Sequence, residues 1–341
     1  MSRVSNNADA SQSSGSSPER EGFHVSSLLK WLPENTNRAV RVFAWASLVS
    51  QVLIIGTGGA VRLTGSGLGC PTWPRCTVDS FVSAPEMGFH GIIEFGNRLL
   101  TFVLAIIAIV MVVLLIRLRR ERPELFRLSI ALALGIPGQA VIGGITVLTD
   151  LNPWIVGLHY LLSLVLVALA AVLLYRVRKG PKSGHWAVPA PFRALSSALI
   201  GVLSISLVMG VITTGSGPHS GDGGAARNGL DSWLLQHFHS WPSYVVFGLI
   251  LTITIATWTG NVGTPTLKRA AMGALAITAV QIAVGLYQAR NGLPELAVGI
   301  HMVLAAVLLA VVTTTLLAQR SSVTREEADL PPLRQTAVLD S

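Results

Sequence analysis

Long apolar segments alternate with short polar connections along most of this chain. Eight of the segments are about 20 residues long, the length that an α-helix needs to cross the hydrocarbon core of a bilayer. They lie near residues 40–62, 90–116, 128–148, 155–175, 194–213, 235–258, 270–289 and 297–318. Because backbone polar groups in lipid must pair within the protein, this pattern predicts eight transmembrane helices and an all-α fold.

The composition agrees with this pattern. Hydrophobic residues make up 51% of the 341 positions and charged residues only 12%, and the mean hydropathy is +0.59. These values exclude a water-soluble globular protein. We therefore predict an integral membrane protein that is in contact with the lipid bilayer over most of its length.

The formal net charge of +8 and the pI near 10.2 would by themselves also fit a nucleic-acid-binding protein. The basic residues, however, cluster at one end of the predicted helices. Twenty of the 25 Lys and Arg residues lie there: Arg3, Arg20, Lys30, Arg38, Arg41, Arg117, Arg119, Arg120, Arg122, Arg127, Arg176, Arg178, Lys179, Lys182, Arg193, Lys268, Arg269, Arg320, Arg325 and Arg334. The positive-inside rule assigns this end to the cytoplasm. The prediction is a multi-pass cell-membrane protein with both termini cytoplasmic and no nucleic-acid partner.

An internal repeat organises the two halves of the chain. The same three residues occur twice, 142 positions apart: Gln139, Gly143, His159 and Gln281, Gly285, His301. A fixed offset over several positions indicates duplication of a structural unit. Four spans per unit is an even number, so both units enter the membrane from the same side. We predict two tandem four-helix bundles related by a pseudo-twofold axis along the membrane normal.

This repeat leads to a division of the chain into five parts. Residues 1–38 are polar and predicted to be a disordered cytoplasmic tail. Residues 39–176 form the N-terminal bundle, and residues 177–193 form a cytoplasmic linker. Residues 194–319 form the C-terminal bundle, and residues 320–341 form a second cytoplasmic tail.

Histidines inside the predicted spans are the candidate metal ligands. The repeat offset places Gln236 on Glu94 and His239 on Asn97, so a second helix of each unit is also duplicated. His239 and His301 lie about five residues from the non-cytoplasmic ends of their spans, roughly 6–8 Å deep. Two imidazoles at one depth on separate helices fit a bis-histidine haem between them. The alternative for each histidine is a hydrogen bond to a neighbouring helix.

Four of the other histidines are predicted to lie outside any metal site. His237 is two positions from His239 and therefore points about 200° away around the helix. His24, His185 and His219 fall in the predicted tail or loops, where contact with solvent is expected.

The two cysteines of the chain, Cys70 and Cys76, lie in a turn-rich loop on the non-cytoplasmic side. An oxidising exterior favours a disulfide between cysteines so close in sequence. A zinc site would need further ligands that no nearby residue obviously supplies. A redox-active pair is the alternative to a structural bond.

Several of these segments together resemble the haem A synthase family, of the CtaA type. The segments that carry the resemblance are GGAVRLTGSGLGCPTWPRC, the E-x-x-N-R of Glu94 to Arg98, GLHYLLS, TTGSGPHSGD, QHFHS and GIHMVLAAV. They extend from about residue 40 to residue 318. The resemblance implies an enzyme that oxidises a methyl group of haem O to the formyl group of haem A for cytochrome oxidase.

The resemblance also implies roles for individual residues. In the C-terminal bundle, His239 and His301 would ligate a prosthetic haem b. In the N-terminal bundle, His159 would ligate the substrate, haem O. The chain departs from the family's E-x-x-H pattern at Asn97, and asparagine is a poor iron ligand. Either His159 binds alone, or His90 takes the place of the missing histidine.

Charged residues near the same surface have two interpretations each. Glu94 matches a family glutamate proposed to act in the oxidation, and it could equally form a salt bridge with Arg98. Arg62, Arg98 and Arg290 lie where haem propionates would project, and guanidinium pairs well with carboxylate. Arginines that only extend toward the membrane surface would look the same in sequence.

Three classes of function remain to be compared. The family resemblance favours a haem-dependent membrane oxidoreductase that receives haem O from its synthase and electrons from an unidentified donor. A homo-oligomer is compatible with this reading. A non-catalytic membrane cytochrome b or haem carrier would need the same histidines, but it would be expected to keep two equivalent bis-histidine sites. A small-solute transporter is disfavoured because neither unit has obvious half-helix breaks.

Overall fold

A computed structural model describes residues 31–180, 182–260 and 262–322 of the chain. These ranges contain eight helices that are long and apolar enough to cross a membrane. We number the helices α1 to α8: Arg38–Leu63, Gly88–Leu115, Pro123–Leu148, Pro153–Lys179, Ala190–Ser216, Ser232–Thr259, Pro265–Arg290 and Glu295–Leu317. The eight predicted spans are confirmed, and the protein is a multi-pass, all-α membrane protein. Residues 1–30 and 323–341 of the predicted tails lie outside the described residues.

Each helix begins two to five residues before the apolar segment that predicted it. For four of the eight helices the reason is capping by a polar side chain. Asn37, Asn152, Asp231 and Thr264 each accept a hydrogen bond from a backbone N–H in the first turn of the helix that follows. Such caps satisfy N–H groups that have no partner within the helix. Hydropathy does not register these polar residues, so it places the helix starts too late.

The first four helices pack as a ring, in which α1 and α3 each contact both α2 and α4. Helices α5 to α8 pack in chain order, and α5 touches α8 at few positions. The two groups meet where α1 and α4 pack against α8 and where α4 packs against α5. At this boundary the Tyr160 hydroxyl of α4 donates to the Met302 carbonyl of α8, over 3.2 Å. The pseudo-twofold axis and the domain limits stay predictions.

The turns α3–α4 and α7–α8 have the same backbone conformation. Leu151 and Leu293, 142 positions apart, adopt left-handed φ values of 57° and 58°. The N–H of Leu151 donates to the Thr146 carbonyl over 2.8 Å, and the N–H of Leu293 donates to the Gln288 carbonyl over 2.9 Å. Thr146 and Gln288 are also 142 positions apart. A left-handed leucine is uncommon, so its recurrence indicates that the repeat extends to the backbone of these turns.

The helix ends alternate between two faces of the molecule. One, here called the disulfide face, carries the connections 64–87, 149–152, 217–231 and 291–294. The other, here called the basic face, carries the connections 116–122, 180–189 and 260–264 and the segments that precede α1 and follow α8. The positive-inside rule predicts that the basic face is cytoplasmic.

A two-stranded antiparallel sheet on the basic face was not predicted. Strand β1, Lys182–Trp186, pairs with strand β2, Arg320–Ser322. The guanidinium groups of Arg193 and Arg320 lie 4.8 Å and 4.0 Å from the centre of the Trp186 ring. The predicted linker and the start of the predicted C-terminal tail therefore hold each other in place, with cation–π contacts at one end.

Glycines allow close approach of helices between the two groups. A Cβ atom on Gly157 of α4 would lie 2.8 Å from Cγ1 of Val211 in α5. A Cβ atom on Gly299 of α8 would lie 3.2 Å from Cδ1 of Leu63 in α1. Gly157 and Gly299 are 142 positions apart. Small residues of this kind let helix backbones approach closely in lipid.

We expect Gly157→Leu to destabilise the protein by about 1–3 kcal/mol, because the new side chain overpacks the α4–α5 contact. The measurement is the thermal unfolding midpoint of the detergent-purified protein. Gly201→Leu in α5 is the matched control, since no described atom lies within 4 Å of a Cβ at that position. Equal midpoints for the two variants would show that the α4–α5 contact is not tight.

Candidate functional site

His239 of α6 and His301 of α8 face each other within the second group of helices. Their ring centroids are 6.2 Å apart, with an interplanar angle of 79°. His239 is seven residues from the start of α6 and His301 six from the start of α8. Both rings therefore lie about 9–11 Å from the helix ends on the disulfide face. The sequence placed them somewhat nearer the surface because it placed the helix starts too late.

The ring of His239 is oriented by helix α5. Its Nδ1 lies 2.9 Å from the Ser206 carbonyl oxygen. A carbonyl only accepts, so Nδ1 carries the proton and Nε2 keeps the lone pair. A Cβ on Gly210 would lie 2.9 Å from Cε1 of the ring. A side chain at position 210 would therefore displace His239 from this position.

His301 is held by the repeated motif. Nε2 of Gln281 in α7 donates to the His301 carbonyl over 3.0 Å. A Cβ on Gly285, one turn further along α7, would lie 3.2 Å from Cε1 of the His301 ring. The glutamine thus fixes the backbone of α8 at this level, and the glycine leaves room for the imidazole.

His159 of α4 is held in the same way. Nε2 of Gln139 in α3 lies 3.2 Å from both the His159 carbonyl and Oγ of Ser163. A Cβ on Gly143 would lie 3.2 Å from Cε1 of His159. In both copies of the motif the glutamine bonds to the histidine carbonyl and the glycine makes room for the imidazole. These shared contacts explain the identical spacing of the three residues.

The pair formed by His239 and His301 fits a shared metal. With metal–nitrogen bonds of about 2 Å, as imidazole makes with zinc, a metal between two imidazoles separates the ring centroids by roughly 6 Å. The observed separation is 6.2 Å. Nδ1 of His239 is occupied by a carbonyl, which leaves Nε2 as the atom for the metal. The two residues would therefore be able to hold a haem iron between two helices.

The first group of helices has an asparagine where the second has His239. Oδ1 of Asn97 accepts a hydrogen bond from Oγ1 of Thr57 in α1, over 2.7 Å. Asn97 is thereby tied to α1, as His239 is tied to α5. His159 therefore has no histidine opposite it at the position that corresponds to His239.

His90 lies near the disulfide face, at the edge of an open cavity. Its Nδ1 is 2.9 Å from Oγ of Ser66. The cavity has a volume of about 540 Å³, and Gly69, Met87 and Asp222 are among its other lining residues. His90 is exposed and two turns closer to the surface than Asn97. Its proposed role as a second ligand for the substrate haem stays a prediction.

Glu94 is buried, with 5% of its surface exposed, and both of its carboxylate oxygens accept hydrogen bonds from the protein. Its Oε2 accepts a hydrogen bond from the N–H of Cys70 over 2.6 Å. Its Oε1 accepts from Nη2 and Nε of Arg98, over 2.5 Å and 3.1 Å. The salt bridge that the sequence offered as one reading is thus present. A role in the oxidation stays a prediction.

Cys70 and Cys76 form the predicted disulfide bond. The same Arg98 that pairs with Glu94 donates to the carbonyls of Cys70, Thr72 and Arg75. The ion pair between the buried Glu94 and the partly exposed Arg98 therefore holds the disulfide loop against the start of α2.

Arg62 connects the two halves of the molecule on the disulfide face. Its Nε donates to the His219 carbonyl over 2.7 Å, and its Nη2 donates to the Thr214 carbonyl over 3.0 Å. The imidazole of His219 in turn donates through Nε2 to the Leu293 carbonyl over 2.8 Å. The sequence predicted that His219 contacts only solvent. In the structure its carbonyl and its imidazole instead connect Arg62 with the loop that contains Leu293. Binding of a propionate by Arg62 or Arg98 stays a prediction.

The other histidines lie outside the paired site. Nδ1 of His237 bonds to the Trp233 carbonyl over 2.8 Å, and the two rings lie 4.3 Å apart. His185 belongs to strand β1 on the basic face. His24 lies outside the described residues.

Sequence reasoning missed several groups that position the site. The Ser206 carbonyl and the Cys70 N–H are backbone atoms, which no residue pattern reveals. Gly210 could have been noticed as a glycine within an apolar span, but it has no counterpart in the repeated motif. Thr57 lies in α1 and becomes a partner of Asn97 only through helix packing.

Comparisons with known proteins place these features in a family. A family profile described as COX15-CtaA, cytochrome oxidase assembly protein, matches residues 41–313. A Heme A synthase from Geobacillus thermodenitrificans is 30% identical over 140 residues, which cover 41% of this chain and 43% of that protein. A Heme A synthase from Lysinibacillus sphaericus is 35% identical over 139 residues, which cover 40% of this chain and 44% of that protein. The chain thus matches less than half the length of these relatives.

If His239 and His301 together hold a haem iron, His301→Ala and His239→Ala should each lower the amount of haem bound by the purified protein, because one ligand of the pair is lost. The measurement is the ratio of haem to protein, with the visible absorption spectrum. His237→Ala is the matched control, since this ring lies two positions from His239 and faces Trp233. Retention of the same haem spectrum in His301→Ala would rule out the ligand assignment.

Proposed function

The chain belongs to the COX15-CtaA family of cytochrome oxidase assembly proteins, and we propose that it is a haem A synthase. The proposed reaction is oxidation of a methyl substituent of haem O to the formyl group of haem A. The observation that carries the proposal is the juxtaposition of His239 and His301, 6.2 Å apart, in a chain whose family profile covers both histidines. The names of the relatives support the same activity.

In this proposal the second group of helices, residues 194–319, holds haem b as a prosthetic group. His239 and His301 would hold its iron. The orientation of His239 by the Ser206 carbonyl supports this assignment, because metal-ligating histidines usually donate their other ring N–H to a protein acceptor. When bound, the haem would supply a one-electron redox centre inside the membrane.

The first group of helices, residues 39–176, receives the substrate haem through His159. Asn97 stands at the position that corresponds to His239, and its side chain is bonded to Thr57. An amide is a weak ligand for iron compared with imidazole. The single histidine holds the substrate on one side, and the opposite side is left to other groups. This asymmetry supports an enzyme over a membrane cytochrome b with two equivalent sites.

Glu94 is the proposed acid–base residue of the first group of helices. It lies three residues before Asn97 on α2, so the two side chains are on neighbouring parts of one helix face. A carboxylate held by Arg98 and the Cys70 N–H keeps a fixed position and a compensated charge. We assign it to proton transfer, or to stabilisation of positive charge, at the carbon being oxidised.

The proposed setting is the cell membrane, with the basic face in the cytoplasm and the disulfide face outside. The twenty basic residues that the sequence predicts at one end of the helices support this orientation. The proposed partners are the synthase that supplies haem O and a separate electron donor. Self-association into a homo-oligomer is compatible with the proposal.

We expect Glu94→Gln to lower haem A formation about a hundredfold or more while the retained haem b stays bound, because the amide lacks the charge and the basicity of a carboxylate. The measurement is extraction of haem from cells supplied with haem O, followed by separation of haems B, O and A. Glu86→Gln, an exposed acidic residue on the same face, is the control.

Glutamine at position 94 keeps an acceptor oxygen, so the disulfide loop should stay in place. Protection of Cys70 and Cys76 from alkylation checks this point. Wild-type levels of haem A in Glu94→Gln would remove Glu94 from the mechanism. Retained haem b without haem A in the wild-type protein would favour a membrane cytochrome b instead.

A further inference from the structure

Two serines connect helix α5 with helix α6 next to His239. Oγ of Ser206 in α5 and Oγ of Ser243 in α6 are 2.7 Å apart. Ser206 is buried, with 6% of its surface exposed. Ser243 also donates through Oγ to the His239 carbonyl, over 2.8 Å. A serine hydroxyl has a single hydrogen, so Ser206 must be the donor in the contact between the two serines.

These bonds form a closed circuit that begins and ends at His239. Its ring donates through Nδ1 to the Ser206 carbonyl, over 2.9 Å. The Ser206 hydroxyl donates to the Ser243 hydroxyl, and the Ser243 hydroxyl donates to the His239 carbonyl. Each hydrogen of the circuit has an acceptor. The two serines and the imidazole therefore hold one another in a single arrangement.

The acceptor of the imidazole N–H is a backbone atom of α5, so its position depends on how α5 and α6 pack. A shift of α5 along its axis, or a rotation about it, would move the Ser206 carbonyl away from Nδ1 of His239. The bond between Ser206 and Ser243 opposes both movements, because it joins the helices at the residue whose carbonyl is used. Within the membrane there is no water to compete for this bond.

Helix α6 contains a proline beside this contact. Pro242 lies three residues after His239 and has no backbone N–H for the Phe238 carbonyl, so one bond of the helix is missing. Helices bend most readily at such positions. The Ser243 hydroxyl adds a bond back to the His239 carbonyl in the same turn. The serine therefore stiffens α6 where the proline weakens it.

The first group of helices lacks one of the two serines at the corresponding positions. The repeated segment Thr-Gly-Ser-Gly has an offset of 150 residues, which places Ser206 on Gly56 of α1. The offset of 142 places Ser243 on Thr101, which donates to the Asn97 carbonyl over 3.4 Å. Glycine has no hydroxyl, so Gly56 cannot form the bond between the helices. The circuit therefore belongs to the group of helices in which two imidazoles face each other.

We propose that Ser206 and Ser243 are positioning residues, whose side chains hold the His239 imidazole in the orientation that leaves Nε2 available to a metal shared with His301. This proposal rests on the proposed function. A hydrogen bond from the other ring nitrogen to a protein acceptor makes an imidazole a more basic ligand. Loss of the serine contact would loosen the bond from Nδ1 to the Ser206 carbonyl, and it would weaken the ligand without removing it.

The experiment measures, for the purified protein, the affinity for added haem B by absorbance titration and the midpoint potential of the bound haem. All variants carry His159→Ala, so that binding through His159 does not contribute. Ser243→Ala removes both bonds of its hydroxyl. We expect it to lower haem affinity about tenfold. We also expect it to raise the potential, because a less basic imidazole stabilises the oxidised iron less.

Two further variants separate the parts of the circuit. Ser206→Ala keeps the backbone carbonyl and loses only the bond between the helices, so its effects should have the same directions as those of Ser243→Ala. The double variant should differ little from Ser243→Ala alone, because both substitutions break the same bond. Ser243→Thr keeps a hydroxyl and should restore the affinity and the potential.

The same two helices provide matched controls. Ser240 of α6 donates to the His237 carbonyl, and Ser204 of α5 donates to the Ile200 carbonyl, so both hydroxyls bond within their own helix. Ser240→Ala and Ser204→Ala should leave the affinity and the potential unchanged. Thermal unfolding midpoints are measured for every variant. A purely structural role of the serines would lower the midpoint without shifting the potential of the bound haem.

An unchanged potential in Ser206→Ala and Ser243→Ala would overturn the proposal, and so would shifts of equal size in the two control variants. Ser206→Ala keeps the test decisive if Ser243→Ala does not fold. These readouts concern haem binding and potential, so they are independent of haem A formation. A wild-type protein that binds haem but forms no haem A contradicts the proposed function and leaves this test intact.

Discussion

A polar side chain inside an apolar helix has to find its partner in the protein, because the hydrocarbon around the helix offers none. The side-chain N–H groups of Gln139 and Gln281 meet this requirement by donating to a backbone carbonyl on the next helix. Each such bond fixes the depth and the rotation of one helix against the other. The carbonyl that accepts the bond belongs to a histidine, so the same contact that joins the helices also sets the position of an imidazole.

The two halves share this contact and differ at the position opposite it. In the second half the opposing residue is His239, whose ring is oriented by a carbonyl of α5. In the first half it is Asn97, whose amide oxygen accepts from a hydroxyl of α1. Both residues are therefore anchored to the first helix of their own group. The two halves thus share the same helix packing. Because the first half has Asn97 where the second has His239, the first half has one imidazole at this level and the second has two.

The helices and the paired histidines could be predicted because they depend on local composition and on a fixed offset. The cost of polar groups in lipid makes span prediction reliable, and the duplication distinguishes His159 and His301 from the other histidines. What could not be predicted depends on backbone atoms brought together by packing. The Cys70 N–H bond to Glu94 and the pairing of strands β1 and β2 are of this kind. No pattern of residue types along the sequence predicts either of them.

The number of imidazoles bears on how long a haem stays bound. On the proposed function, His239 and His301 would both have to release the iron before the haem could leave, which suits a resident cofactor. His159 alone would have to release only one bond to the iron, which suits a substrate that enters and a product that departs. Asn97 cannot supply the second bond, because an amide ligates iron poorly. On the proposed function, Asn97 breaks the duplicated pattern, and this one difference distinguishes the two sites. The first group of helices binds and releases the substrate haem, and the second group keeps its haem.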